Sequence, residues 1–309
     1  MFARRLVRAR RASAAAVTLA VSLALCAGAA ARDDGDGPAR PVGIGGGRHV
    51  LLDCRGSGSP TVVLVSGAGG ASDEWTHIAD AARPESGLKP DPSAVLPQVA
   101  RFLRVCAYDR PGTTRLDGTP NGSTPVTQPT SAAAGVRDLR AALAAAGEQP
   151  PYVLVGASWG AMIASLFARA EPARTAGVVT VDGASPFLKD TLTPAQWSAW
   201  MDKIRAADPG KGLERPDYPA AVRELRGAPA PPRGLPAVVL TSDHPWDLSV
   251  GGGSTWPAWL AAQRRLADDL RARHVTSTDS GHGIAVEQPR LVVRAILDVV
   301  GQTRAGQER

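Results

Sequence analysis

The sequence predicts an α/β domain built on a parallel sheet, and three observations carry that expectation. Short apolar runs rich in β-branched residues alternate with helical stretches over more than 200 residues. Glycine (33) and proline (26) fall mostly between those runs, where turns belong. One run, Tyr152 to Val155, passes through Gly156-Ala157-Ser158-Trp159-Gly160 straight into a helical stretch. At 309 residues, 44% hydrophobic and 21% charged, the chain suffices for one large domain or two small ones with a buried core.

The first 31 residues stand outside the alternation. Arg4, Arg5, Arg8, Arg10 and Arg11 precede an uncharged, alanine-rich stretch from Ala12 to Ala31, the layout of a cleaved secretory signal peptide. A membrane anchor is the alternative, but the stretch is near the lower length limit for spanning. Leu23-Ala24-Leu25-Cys26 resembles a lipoprotein attachment box with Leu25 in place of the usual small residue, and Arg4-Arg5 hints at the twin-arginine route. A secreted or cell-envelope location follows as the expectation, with no stable membrane partner after cleavage. Residues 32–42 are expected to form a disordered spacer, and 43–309 the folded domain.

Removing that leader changes the charge argument. It holds five arginines and no acids, so the net charge falls from +6 to +1. No basic stripe remains, and no nucleic-acid partner is expected. Two cysteines remain, Cys54 and Cys106, either as a disulfide suited to an exported protein or as two separate buried thiols.

The elements follow in order. Val50–Leu52, Thr61–Val65 and Val105–Tyr108 read as strands, and Ser131–Ala146 as a helix with Val136, Leu139, Leu143 and Ala146 on one face. Tyr152–Val155 is the next strand and Ala161–Ala170 its helix. Val178–Val181, Ala237–Leu240 and His274–Ser277 supply further strands, and Pro289–Val300 closes the chain as a helix. About fifty residues rich in proline and tryptophan interrupt the rhythm between Asp182 and Ala237. Thr193-Pro194-Ala195-Gln196 is a capping box with proline at the first helical position, and Asp208-Pro209-Gly210 stops that helix. Trp197, Trp200, Met201 and Ile204 follow the box at helical spacing; they line an acyl pocket or pack a helix onto the core. This interval, about 184–235, reads as an insertion over one end of the sheet.

A serine between two glycines at a strand-to-helix turn is placed for nucleophilic chemistry. The turn thrusts the Ser158 hydroxyl out at the carboxyl edge of the sheet, and the helix N-terminus favours negative charge developing there. A hydroxyl needs a base. Of five histidines, His282 in Asp279-Ser280-Gly281-His282-Gly283 follows the last strand in a flexible turn. An oxyanion needs two backbone donors: Trp159, directly after the serine, and Ala68 in the glycine loop Ser66-Gly67-Ala68-Gly69-Gly70. Ser72 breaks a dinucleotide-type glycine pattern there, and no Gly-Lys-Ser/Thr follows.

Over roughly residues 45 to 300 the chain resembles the α/β-hydrolase fold family. The resemblance rests on TVVLVSGAGG, RVCAYDRPG, YVLVGASWGAMIASLFARAEP, GVVTVDG, LPAVVLTSDHPWD and DSGHGIAVEQP. It implies a mostly parallel eight-stranded sheet with a helical lid inserted after strand six, and a Ser, acid, His order. The acid is then expected after the seventh strand as Asp243, with Asp182 and Asp247 the alternatives. Ser66 stands where a histidine is frequent. The implied strand order, 1-2-4-3-5-6-7-8, makes the second and fourth strands neighbours and so pairs Cys54 with Cys106. Function follows as hydrolysis of a small-molecule ester or related acyl substrate, without cofactor: there is no His-Glu-x-x-His, and the cysteines are too few for a zinc cluster. Two other readings stand beside it. A proline-releasing aminopeptidase would need a lid acid such as Glu214, Asp217 or Glu224 for the substrate amine, and a non-catalytic binding protein would share the scaffold.

Overall fold

The computed structural model describes residues 39–80, 87–206 and 213–307. The leader read at 1–31, most of the spacer, and the Asp208-Pro209-Gly210 stop lie outside them. The described residues begin with an antiparallel hairpin, β1 (Arg40–Gly45) and β2 (Arg48–Arg55), followed by β3 (Thr61–Val65). The expected spacer therefore ends sooner, because residues 40–42 already belong to β1. Val42 pairs with Val50 and is buried, and Gly45, Gly46 and Gly47 all take positive φ at the hairpin bend. A short edge strand next to three glycines looks like linker in sequence, since only its pairing reveals it.

A separate antiparallel pair, β4 (His77–Ala79) and β5 (Leu88–Pro90), precedes α1 (Val95–Ala100). Then come β6 (Val105–Asp109), α2 (Ala132–Ala145), β7 (Tyr152–Ala157), α3 (Trp159–Ala170) and β8 (Thr175–Val181). The insertion carries α4 (Leu188–Thr191), α5 (Pro194–Ala206) and α6 (Tyr218–Gly227). It returns to β9 (Ala237–Leu240), α7 (Trp256–Leu270), β10 (Arg273–Val275), α8 (Ile284–Glu287) and α9 (Pro289–Gln307). The main sheet has eight strands in the order β1-β2-β6-β3-β7-β8-β9-β10. Counted along that sheet alone, this is the implied 1-2-4-3-5-6-7-8. β2 runs against both neighbours, and every pairing from β6 to β10 is parallel.

The central strands are buried on both faces, which is why they read as unbroken apolar runs. Val63 and Val65 of β3 face one core with Leu139 of α2 and Phe167 of α3, and Val62 and Leu64 face the other with Leu96 of α1 and Ile296 of α9. Each such side chain contributes about 1.5–3 kcal/mol when fully buried. The Trp197, Trp200 and Met201 stripe of α5 belongs to the first core, where Trp200 meets Tyr218 at 4.4 Å between ring centres. Of its two readings, packing of a helix face is the one observed. Among the described residues no helix is long and apolar enough to cross a membrane.

Cys54 and Cys106 face each other across the β2–β6 ladder and are joined by a disulfide, with Cα atoms 4.0 Å apart.

Candidate active site

The carboxyl ends of β7 and β8 meet in register. Ala157 pairs with Val181, so Ser158 and Asp182 leave the sheet side by side, and the Ser158 amide donates to the Val181 carbonyl at 3.1 Å. Both residues take positive φ, 46° and 40°. Such backbone costs about 1–3 kcal/mol and persists only where its surroundings enforce it. The elbow glycines are enforced by space: a Cβ on Gly160 would stand 2.1 Å from the Val65 carbonyl oxygen, and one on Gly156 2.5 Å from that of Gly160. No side chain fits at either place.

His282, in the turn after β10, reaches this pair. Its Nε2 lies 3.0 Å from the Ser158 hydroxyl and its Nδ1 2.7 Å from Asp182 Oδ2. The structure thus brings Ser158 and His282 together as expected but supplies a different acid. Asp182 is fully buried, and its carboxylate accepts four hydrogen bonds. Oδ1 takes the Ser242 amide and the Trp259 indole N–H, both at 3.0 Å. Oδ2 takes the Trp246 indole N–H at 3.0 Å and the imidazole.

The expectation that Asp243 orients His282 is corrected. Leu240 of β9 aligns with Val181, so Asp243 overshoots the sheet edge by two residues beyond the position of Asp182. Its carboxylate turns instead into the 278–280 turn. There it accepts the Thr278 and Ser280 amides at 3.1 and 3.0 Å and the Thr278 hydroxyl at 3.2 Å. Slight burial works against its charge, but the amides of Ser280 and Asp279 and the Thr278 contacts outweigh it and hold the carboxyl at about 2. Asp243 shapes the loop that delivers His282 without touching the ring. From the other side Glu287 accepts the Ser280 hydroxyl and the Gly281 amide at 2.8 and 2.9 Å. Asp247 is occupied at the start of α7, bonded to Ser254 and to Thr255.

The glycine loop lies against the serine. A Cβ on Gly67 would be 3.4 Å from Ser158 Cβ, and among the described residues the amides of Ala68 and Trp159 have no hydrogen-bond partner. Two free donors flanking the serine suit a developing oxyanion. The loop is held from below by Arg110, which donates to the carbonyls of Ser66 and Gly67 at 3.0 and 2.6 Å. Glu214, from the inserted segment, binds Arg110 Nε at 2.5 Å and accepts the Gly69 amide at 2.8 Å. Burial opposes the Arg110 charge, but Glu214 more than offsets it and holds the guanidinium above its ordinary value. Ser66 keeps a local role: its buried hydroxyl accepts from the Trp75 indole and donates to the Ala71 carbonyl, both at 2.9 Å.

Glu74 lies under the same loop. Burial raises its carboxyl to about 7, against the pull of Arg110, with Asp73 adding to the rise and the Gly67 amide opposing it. Sequence reasoning missed Glu74, Arg110 and the two indoles. Arg110 was visible only as part of a motif, and a half-buried glutamate under a glycine loop has no sequence signature. A cavity of about 440 Å³ opens nearby, walled by Arg48, Tyr108, Arg110, Trp159 and Asp217, while Ser158 and His282 do not line it.

A family model described as alpha/beta hydrolase fold matches residues 60–215. No curated protein matches the sequence. Solved structures share the fold at low identity. Est816, described as an N-acyl homoserine lactone degrading enzyme, is 16% identical with a TM-score of 0.56, covering 84% of this chain and 99% of its own. A thermophilic esterase from Thermogutta terrifontis is 19% identical with a TM-score of 0.53, covering 86% and 99%. Epoxide hydrolases from metagenomes of hot environments are 17% identical with a TM-score of 0.57, covering 85% and 98%. Named reactions this varied leave the chemistry to be argued from the site.

Proposed function

Because the chain belongs to the α/β-hydrolase fold family, we propose that it is an exported serine hydrolase of esters or related acyl substrates, with Ser158, His282 and Asp182 as its triad. The observation that carries this reading is the unbroken chain from the Ser158 hydroxyl through both imidazole nitrogens to a buried carboxylate. In the reaction, Ser158 Oγ attacks the acyl carbonyl as Nε2 of His282 takes its proton. The carbonyl π electrons move onto oxygen, where the Ala68 and Trp159 amides receive the charge. Collapse expels the leaving alkoxide, which takes the proton from Nε2 and leaves an acyl-serine. Water, deprotonated by the same nitrogen, then attacks the acyl carbonyl, and Ser158 Oγ leaves with that proton as the acid is released. Asp182 keeps Nδ1 protonated and balances the transient imidazolium throughout.

The aminopeptidase reading loses its support at the lid acids. Glu214 is neutralised by Arg110, Asp217 caps α6 through the Ala220 amide, and Glu224 accepts the Ala133 amide. Export is supported by the leader-like first 31 residues and by the disulfide, which suits an oxidising compartment. A fluorophosphonate probe tests the reading: it should label the wild-type protein and not Ser158→Ala, which should also lose turnover of activated esters while remaining folded. Equal labelling of both proteins, or ester turnover at the parental rate in Ser158→Ala, removes Ser158 as the nucleophile; a folded wild-type protein that neither labels nor turns over esters leaves the binding-protein reading.

A further inference from the structure

The two indole N–H groups on Asp182 have no counterpart in the chemistry described so far, and one of those indoles also covers the histidine. The Trp246 ring lies on the His282 imidazole with centres 4.1 Å apart and planes inclined by 36°. Its Nε1–H points to Asp182 Oδ2, the same oxygen that His282 Nδ1 uses, and lies 3.1 Å from the Ser242 hydroxyl oxygen as well. Trp259 meets the imidazole edge-on at 5.5 Å and Trp246 at 4.5 Å. Trp259 is fully buried in α7 and serves the core in any case, whereas Trp246 is half-buried on the loop after β9. A ring needed only to fill space would not have to aim its N–H at a carboxylate.

We propose that Trp246 is a positioning residue which, by holding Asp182 Oδ2 and stacking on the imidazole, fixes the orientation and basicity of His282. This rests on the triad assigned above. Two bonds on one oxygen divide its charge, so the indole weakens the pull of the carboxylate on the imidazolium. The stacked face opposes this in part, because an aromatic face attracts a cation. Direct bonding to the oxygen is the stronger of the two, because the Asp182 carboxylate is fully buried whereas the stacked imidazole is partly exposed. Among the described residues Asp182 is the titratable group bonded to His282. The charged groups nearest Trp246 in sequence face elsewhere, Asp247 towards α7 and His244 towards Asp279 at 3.2 Å.

Trp246→Phe keeps a ring and removes the donor. The acidic limb of its kcat/KM profile should move to higher pH by about half a unit to one unit, with kcat lowered roughly tenfold. An unchanged or lowered limb overturns the proposal. A second measurement needs no turnover. In Ser158→Ala protein, tryptophan emission should fall as His282 gains its proton, because an imidazolium stacked on an indole quenches it. That step should vanish in Ser158→Ala/His282→Gln and shrink to the residue left by Trp259 in Ser158→Ala/Trp246→Phe. Absence of the step, or its full survival without Trp246, overturns the stacking. Should Ser158→Ala itself retain turnover, the triad assigned above fails, whatever the emission shows.

Discussion

At the scale of single residues, two carboxyl groups are held far from their usual state, in opposite directions. Asp243 is held at about 2 by the 278–280 amides. Its contribution to stability is therefore whole above the usual 3.8 and is lost as pH falls towards about 2. Glu74 behaves in the reverse sense. Its folded form holds a proton up to about 7, so its contribution is whole below the usual 4.5 and is lost as pH rises through about 7. Urea denaturation between pH 5 and 8 should show wild type losing stability relative to Glu74→Gln; parallel curves would disprove the burial argument. Asp182 and Asp243 separate by activity. Asp182→Asn should cost up to about 10⁴ in kcat, because the amide favours the wrong imidazole tautomer. Asp243→Asn should lose far less at neutral pH, and a crippled Asp243→Asn with a mild Asp182→Asn would restore the assignment expected from sequence.

At the scale of elements, the insertion is more than a cover. Its α5 begins with the capping box read from the sequence: the Thr193 hydroxyl accepts the Gln196 amide at 3.2 Å, and the Gln196 side chain accepts the Thr193 amide at 3.1 Å. Its Glu214 reaches under the glycine loop, where the Arg110–Glu214 side chains are 4% and 1% exposed. Replacing Glu214 by Gln leaves Arg110 buried without its counter-charge, a change that costs about 3–5 kcal/mol in such pairs. Chemical denaturation should register that loss. Ester turnover should fall beyond what the remaining folded fraction explains, since Gly67 and Gly69 lose their shared brace. A stability loss with unchanged turnover per folded molecule would separate the brace from the oxyanion donors.

At the scale of the whole molecule, the disulfide ties the hairpin edge of the sheet to its parallel centre across 52 residues of chain. Closing a loop of that order stabilises by roughly 2–4 kcal/mol. Cys54→Ala/Cys106→Ala, or reduction of the wild type, should lower the midpoint of thermal unfolding. Two titratable thiols in unreduced protein would show that the bond does not form. The central strands were legible in the sequence for one reason: strands buried on both faces must be largely apolar, as β3, β6, β7 and β8 are. The edges were not. β1 pairs one buried valine beside three glycines, and α7, which begins at a tryptophan after a glycine-rich loop, was passed over altogether.

The sequence by itself determined the parallel α/β architecture, the sharp turn at Ser158 and the histidine that reaches it, because each follows from local rules. Apolar periodicity sets the layers, the serine between two glycines at a strand-to-helix junction marks the turn, and the chain order places His282 after the last strand. The tertiary structure alone decided which aspartate faces that histidine. Asp182, Asp243 and Asp247 are all plausible by residue type and by nearness to a strand end. The choice depends on register: β8 lies directly beside β7, and its last paired residue stands level with Ala157. The acid one step further along β8 emerges next to the serine, while Asp243 passes beyond it into a turn that satisfies its charge. The indoles that complete the site come from the β9–α7 loop and from α7, 64 and 77 residues away from Asp182, a separation across which no local pattern carries a signal.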